Sequence, residues 1–414
     1  MVLIWLVGLF SLSLLMSQTA IDLFAVLIIL QVLWMGFRWR EQRSMKRLLN
    51  PVGIDWLFLV WIVIVIIGYA NQGFAGDNWY VKLLEFRWLI VFYMFVTALR
   101  QTEPDTNWIK VGAVGFGLCS LWAIVIWFLG FDPIHPYESL QLTGGGVFRT
   151  GGFFTQPISF AHMYQLPLCI LLGCFFSMVR WRERGAWIVG LGCLLGVIAI
   201  ILSFTRGVWI SLTVASLVMA FLYSRRLAIM IAIAGVVAFA GAYQILPSFK
   251  ERIRYTLEGG DAERIWMWKA NFEMFKDHPV IGIGYGENIG ALTSYYQKLN
   301  APADIIAASS SHAHNQYLQM LAGTGILGLA IYLIIVFYFL VLALRVWRKV
   351  GSREVFYQGL TLGVIGAQVA FLVGGLTEAN LEHSKMRHAL LFVWALTVWL
   401  AYEFNVLREK ITSR

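Results

Sequence analysis

With 414 residues, 59% of them hydrophobic and only 13% charged, and a mean hydropathy of +0.71, the chain is too apolar for a soluble globular protein, which is about 45–50% apolar and about a quarter charged. The net charge of +9 does not indicate a nucleic-acid partner, because most of the basic residues flank apolar runs, where a positive-inside bias puts them. The four cysteines, Cys119, Cys169, Cys174 and Cys193, all fall within apolar runs. They read as small core residues rather than a disulfide framework or a metal site.

Apolar runs lie near 2–17, 20–37, 52–70, 79–99, 108–130, 158–179, 187–203, 207–223, 227–246, 316–344, 356–376 and 389–405. They predict an all-α polytopic membrane protein of about twelve transmembrane helices. The first run has no basic n-region and no small-residue cleavage site, so it is expected to be a retained helix and not a signal peptide. An even number of spans puts both termini on one side. The short connections carrying Arg38, Arg40, Arg43, Lys46 and Arg47, then Arg180, Arg182 and Arg184, then Arg225 and Arg226, then Arg345, Arg348, Lys349 and Arg353, and the tail with Arg408, Lys410 and Arg414 alternate with connections poor in Lys and Arg, such as 71–78. The basic set is therefore expected on the cytoplasmic side with both termini. The segments 131–157, 203–207, 247–314 and 377–388 then face outward. The chain divides into 1–246 (spans one to nine), 247–315 (a large outer loop between spans nine and ten) and 316–414 (three spans and a cytoplasmic tail).

Within the large loop, Ala262–Lys276 reads as a helix whose apolar stripe is Ile265, Trp268, Phe272 and Phe275, lying on the membrane surface or capping a cavity. Asp277-His278-Pro279 ends it. Gly282, Gly284 and Gly286 follow as a flexible turn. That turn is no nucleotide loop: it lacks the third glycine spacing and a βαβ context, and it faces outward.

The outward side holds the candidate chemistry. Arg206 lies in Ser203-Phe-Thr-Arg-Gly207 between two apolar runs, on a side where short loops hold few basic residues. A charge at the centre of a spanning helix costs about 2.5–3.5 kcal/mol and less near the interface, so an anion site is favoured over a snorkelling side chain. Arg264, preceded by Asp261 and Glu263, opens the surface helix. It is equally well read as a solvated helix-end charge or as a bidentate phosphate ligand. His314 begins the tenth span, followed by Asn315 and preceded by His312 and Ser309 to Ser311. A neutral imidazole with a pKa near 6.5 can take a proton from a hydroxyl nucleophile, and His312 is its rival. Arg149, in the glycine-rich segment from Gly144 to Pro157 that is expected to act as a gate, reads first as a loop charge. Glu378, Glu382 and His383 are further polar residues for which a structural role is favoured. His312 and His314 are too close for helical i, i+4 ligation and no nearby carboxylate pattern completes a site, so a metal-independent reaction is expected.

Three segments carry a resemblance. Ser-Phe-Thr-Arg206-Gly comes first. Glu-Arg264-Ile-Trp-Met-Trp-Lys follows, with Asp-His-Pro-Val-Ile-Gly-Ile-Gly after it, and then His314-Asn-Gln-Tyr-Leu with Gly325 and Gly328 beyond. Together they resemble the O-antigen ligase and polymerase superfamily over roughly residues 190–345. In that family an arginine after a Ser/Thr pair, an arginine in the large periplasmic loop, and a histidine followed by ten residues and a glycine recur in this order. His312 to Gly323 has the same spacing, but only His314 carries the His-Asn pair with Tyr-Leu following. The resemblance implies a GT-C-type glycosyltransferase of the bacterial inner membrane, working at its periplasmic face on a glycan carried by undecaprenyl diphosphate. It implies no nucleotide, no metal and no other cofactor. Arg206 and Arg264 would bind the donor diphosphate and stabilise the charge developing on it, with His314 as general base. His312, Asn315 and Arg149 are the further substrate-binding candidates, although Arg149 matches none of the family's motifs. The compact single loop and the His-Asn motif favour a ligase with a lipid A–core hydroxyl as acceptor. The alternatives are a polymerase extending a lipid-linked repeat, a protein O-oligosaccharyltransferase, or a non-enzymatic transporter of the same lipid-linked glycan.

Overall fold

The computed structural model describes residues 9–10, 12–16, 18–39, 52–71, 73, 80, 83, 85–101, 106–135, 142, 146–245, 247–257, 262–307, 312–351 and 354–407. Among them, regular structure is helical apart from one isolated antiparallel bridge between Leu142 and Phe148. The helices are α1 (Gln18–Trp39), α2 (Asp55–Asn71), α3 (Trp88–Leu99), α4 (Thr106–Leu129), α5 (Pro157–Arg180), α6 (Ala186–Leu202), α7 (Arg206–Tyr223), α8 (Arg225–Ile245), α9 (Pro247–Leu257), α10 (Ala262–Asp277), α11 (Asn288–Lys298), α12 (Ala303–Ala307), α13 (Gln316–Val350), α14 (Val355–Gly374) and α15 (Ser384–Glu403). Most of the first apolar run lies outside the described residues. So do the basic positions Arg40, Arg43, Lys46, Arg47, Arg353, Arg408, Lys410 and Arg414, much of the connection 71–78, Gly144 and Gly145, Asp261, and Ser309 to Ser311.

Six helices, α4, α5, α7, α8, α13 and α14, are long and apolar enough to cross a membrane. Shorter apolar helices occupy the runs predicted near 20–37, 52–70, 79–99 and 187–203. The run near 79–99 enters α3 through a single 3-10 turn at Glu85–Arg87. Helix α15 covers the last run but begins five residues earlier than expected, because the charged Lys385 and Arg387 lie within its first turns. The described residues thus form a helical membrane protein.

Helices α5 and α14 pack more extensively than any other pair, and α7, α13 and α15 pack against α14. Small residues allow the close approach: a Cβ on Gly173 of α5 would come within 2.3 Å of the Gly363 backbone nitrogen on α14, the contact that bilayer-spanning helices favour because lipid gives them little hydrophobic drive to associate. The buried aromatic side chains Phe160, Tyr164 and Phe371 fill the same core.

The large loop is itself folded into α9 to α12. Helix α10 matches the helix expected over 262–276, and most of its expected apolar stripe lies on the outer face. Met267, Ala270, Asn271 and Met274 are buried, whereas Ile265, Trp268 and Phe272 are exposed. The buried face belongs to the smaller or more flexible side chains because it packs on α11 and α13 in a compact satellite core with Ile283, Leu292, Tyr296 and Ala322.

The glycine turn after α10 is also docked rather than free. Helix α13 breaks at Gly325, whose φ of 63° and ψ of −168° are non-helical. The break opens the i to i−4 hydrogen bonding on both sides of it, and segment 279–284 takes up the released groups. Ile326 and Leu327 donate their N–H groups to the carbonyls of Pro279 and Val280 at 2.9 and 3.3 Å, while Ile283 and Gly284 donate to Ala322 and Gly323, both at 3.0 Å. A Cβ at Gly282 would come within 2.4 Å of the Gly323 backbone, and one at Gly325 within 2.3 Å of Val280. The turn thereby fixes the folded loop to the helix that begins at His314.

Candidate functional site

The site forms where three segments meet: the first turn of α13, the first turn of α7, and the connection from α14 to α15. Asn315 caps α13, its Oδ1 accepting the N–H groups of Tyr317 and Leu318 at 3.0 Å each. Its Nδ2 donates to the Leu376 carbonyl at 3.1 Å. Gln316 continues the seam, donating its N–H to Gly375 O at 2.7 Å and accepting the Leu381 N–H at 2.8 Å. Two consecutive side chains therefore lock segment 375–381 against the start of α13. On the other side, α7 approaches so closely that a Cβ on Gly207 would lie 2.0 Å from Thr377 Oγ1. That contact sets Arg206 beside the residue preceding Glu378.

Glu378 is the hub. Its side chain is 1% exposed, and three imidazoles surround it: His314 Nδ1 at 2.9 Å from Oε2, His312 Nε2 at 3.2 Å from Oε1 and His383 Nε2 at 3.8 Å from Oε1. The backbone N–H of Ala379 adds a bond to Oε1 at 3.0 Å. Burial by itself raises a carboxyl pKa, but the hydrogen bonds from His314 and His383 and the charges of His314 and His312 outweigh it and hold Glu378 well below the usual carboxylate range.

An ionised carboxylate only accepts hydrogen bonds, so the neighbouring protons are assigned. His314 donates from Nδ1 to Glu378, which leaves its lone pair on Nε2 when the ring is neutral. His312 is arranged in the opposite sense. Its Nδ1 accepts the His314 backbone N–H at 3.3 Å, so its proton sits on Nε2, facing Glu378 Oε1. Burial, with the charges of His314 and His383 adding to it against the opposing pull of Glu378, pushes the His312 pKa down to about 4. Both nitrogens of His312 are engaged within the cluster, and His314 turns Nδ1 to Glu378, which puts Nε2 on the ring edge away from that carboxylate. The geometry thus separates two histidines that sequence spacing leaves as rivals. His314 also has a φ of 45°, a left-handed conformation uncommon outside glycine, held by the cap immediately after it.

The arginines approach this hub from two directions. Arg206 is the first residue of α7, half-buried. Arg149 braces the turn before it, donating Nε to Ser203 O at 2.9 Å and Nη2 to Thr205 Oγ1 at 3.4 Å. Arg264, half-buried on α10, lies one turn before Trp268, whose Nε1 donates to Ala313 O at 3.0 Å. That bond ties α10 to the residue preceding His314. His162 on α5 is buried at the end of α14, where a Cβ on Gly374 would lie 3.2 Å from its imidazole ring.

His312 and His314 therefore meet on Glu378, the turn that holds Arg206 packs against Thr377, and Arg264 lies on the helix tied to Ala313, with Asn315 serving as cap and tether and Arg149 as brace. The weight given to the 377–388 segment needs correcting. Glu378 and His383 belong to the central cluster, although neither has a motif or spacing that links it to His314. His162 carried no signal beyond being an ionisable residue at the end of an apolar run. The carboxylate missing from the sequence search for a metal site also comes from this segment: His312, Glu378 and His383 offer three ligand atoms that all lie within 4.8 Å of one another.

A comparison with curated proteins returns no match. Residues 191–333 match the family model described as O-antigen ligase. The matched stretch begins within α6 and ends within α13, so it takes in Arg206, Arg264, His312, His314 and Asn315 and stops short of Glu378 and His383. Over this stretch, which is less than half of the chain, the sequence is similar to the O-antigen ligase family.

Proposed function

We propose that this chain is an O-antigen ligase of the bacterial inner membrane. In this reading it moves a glycan from undecaprenyl diphosphate to a hydroxyl of lipid A–core at the periplasmic face, with both termini in the cytoplasm. The observation that carries the reading is the His314–Glu378 pair, lying between two elements that each present an arginine.

The chemistry follows from those side chains. The acceptor hydroxyl gives its proton to His314 Nε2 as its oxygen bonds to the anomeric carbon of the donor sugar. The bond from that carbon to the diphosphate oxygen breaks on the opposite face, and the electron pair leaves with the undecaprenyl diphosphate, so configuration inverts. Arg206 and Arg264 neutralise the charge that grows on the departing diphosphate. Glu378 keeps the proton of His314 on Nδ1 and stabilises the imidazolium that forms, so its role is positioning. No nucleotide or metal takes part in this scheme. The ligase is favoured over a polymerase by the compact single loop and the His-Asn motif at the start of α13.

The test is reconstitution. Purified protein is mixed with lipid-linked glycan and, in separate reactions, rough lipopolysaccharide or a second lipid-linked repeat, without nucleotide or added metal. Ligated lipopolysaccharide is expected. Extension of the lipid-linked repeat alone would make the chain a polymerase, and absence of any product with folded protein would sink the transferase reading.

A further inference from the structure

We propose that His312, Glu378 and His383 form a binding site for one divalent transition-metal ion of the zinc class. The donor set comes from two segments that are 66 residues apart at His312 and Glu378, and the segments are locked together by the Asn315 and Gln316 hydrogen bonds described above. His312 Nε2 lies 3.2 Å and His383 Nε2 3.8 Å from the same carboxylate oxygen, Glu378 Oε1. The two imidazole planes stand at 90° with centroids 5.3 Å apart, so they converge instead of stacking.

A tetrahedral zinc ion with bonds of about 2.0–2.2 Å requires its ligand atoms about 3.3 Å apart. Both imidazole nitrogens lie near that separation from Glu378 Oε1, at 3.2 and 3.8 Å, and all three ligand atoms lie within 4.8 Å of one another. Two imidazoles and one carboxylate suit zinc, cobalt or nickel, whereas magnesium and calcium prefer all-oxygen surroundings. Three protein ligands leave the fourth position open. Access is through His383, the most exposed member at 28%.

Coordination has a structural consequence. A neutral His312 ligating through Nε2 carries its proton on Nδ1, which displaces the 3.3 Å hydrogen bond from the His314 backbone. Glu378 would then join the ion through Oε1 while still accepting from His314 through Oε2, in the carboxylate–histidine arrangement that tunes many metal centres. Binding does not depend on the transferase reading, because it is measured directly.

The experiment titrates the chelator-treated, full-length protein in detergent with Co²⁺ and follows the visible d–d absorption of the bound ion. Wild type is expected to saturate at one equivalent, with Zn²⁺ displacing the signal and Mg²⁺ leaving it. His383→Asn and His312→Gln should each weaken binding at least about tenfold, while His135→Asn, which alters a separate histidine–aspartate pair, should bind as wild type does. Melting each variant without metal establishes its fold, and two independent ligand variants guard against one that misfolds. No stoichiometric cobalt signal in folded wild type, wild-type affinity in folded His383→Asn, or loss of binding in His135→Asn would overturn the proposal.

Discussion

His314 Nδ1 lies 2.9 Å from Glu378 Oε2, across 64 residues of sequence. The pair joins the first turn of α13 to the connection after α14, and it fixes which nitrogen of His314 is basic. Because Glu378 is 1% exposed, its charge acts through little screening solvent.

Glu378→Gln therefore keeps the shape of the side chain and removes the charge that holds the imidazole proton on Nδ1. Transfer is expected to fall about 10²–10⁴-fold, the range that general-base catalysis contributes. Donor affinity should stay near wild type. Single-turnover kinetics alongside direct donor binding separates the two quantities. A wild-type transfer rate would remove Glu378 from the account.

In the proposed scheme, Arg206→Ala and Arg264→Ala each remove a charge-assisted contact to the donor diphosphate, worth about 1.5–3 kcal/mol, or roughly 10- to 150-fold. The loss should show in donor KM, in kcat, or in both, according to how much each contact strengthens as the leaving group departs. Lysine at either position should recover only part of the loss, since it lacks the planar fork of arginine. Unchanged kinetics in either alanine variant would exclude that arginine from the diphosphate site.

The docked turn predicts a stability effect away from the chemistry. Gly325→Ala forces a side chain into a positive-φ position with its Cβ 2.3 Å from the Val280 carbonyl. Left-handed strain costs about 1–3 kcal/mol and overpacking a further ~1–3 kcal/mol. Gly290→Ala is the contrast, because the new Cβ on α11 meets nothing within 4 Å and alanine is the better helix former by about 0.5–1 kcal/mol. Thermal melts of the two purified variants should move in opposite directions. A Gly325→Ala protein as stable as wild type would mean that the turn does not need this geometry.

The proposed orientation is open to chemical labelling. The four native cysteines are buried, so introduced cysteines report alone. Ser294→Cys, exposed on α11, is expected to react with a membrane-impermeant maleimide in spheroplasts, and Arg226→Cys, exposed at the start of α8, only after permeabilisation. The reverse pattern would invert the assigned topology.

Much of the architecture was legible because a bilayer imposes strong rules. Apolar runs had to become helices, and the boundaries of α5, α7, α8 and α14 fall within a few residues of the runs that predicted them. Arg206, Arg264 and His314 stood out in the sequence because each breaks a local rule or carries a family motif. Glu378 was not, since what singles it out is three imidazoles arriving from two segments, and no sequence spacing encodes that meeting. The aromatic stripe of α10 shows a related limit. Periodicity finds an apolar face but does not say whether it meets protein or the membrane surface, and here Met267, Ala270 and Met274 took the protein side. The glycines after α10 read as freedom, whereas their partners are the backbone groups released by the kink at Gly325.

The central claim is that His314 activates the acceptor hydroxyl, and single-turnover transfer by purified His314→Ala tests it most directly. With lipid-linked glycan and rough lipopolysaccharide supplied, this variant should bind donor as wild type does and form no ligated product, while a His312→Gln control retains measurable transfer. Normal transfer by folded His314→Ala would contradict the account.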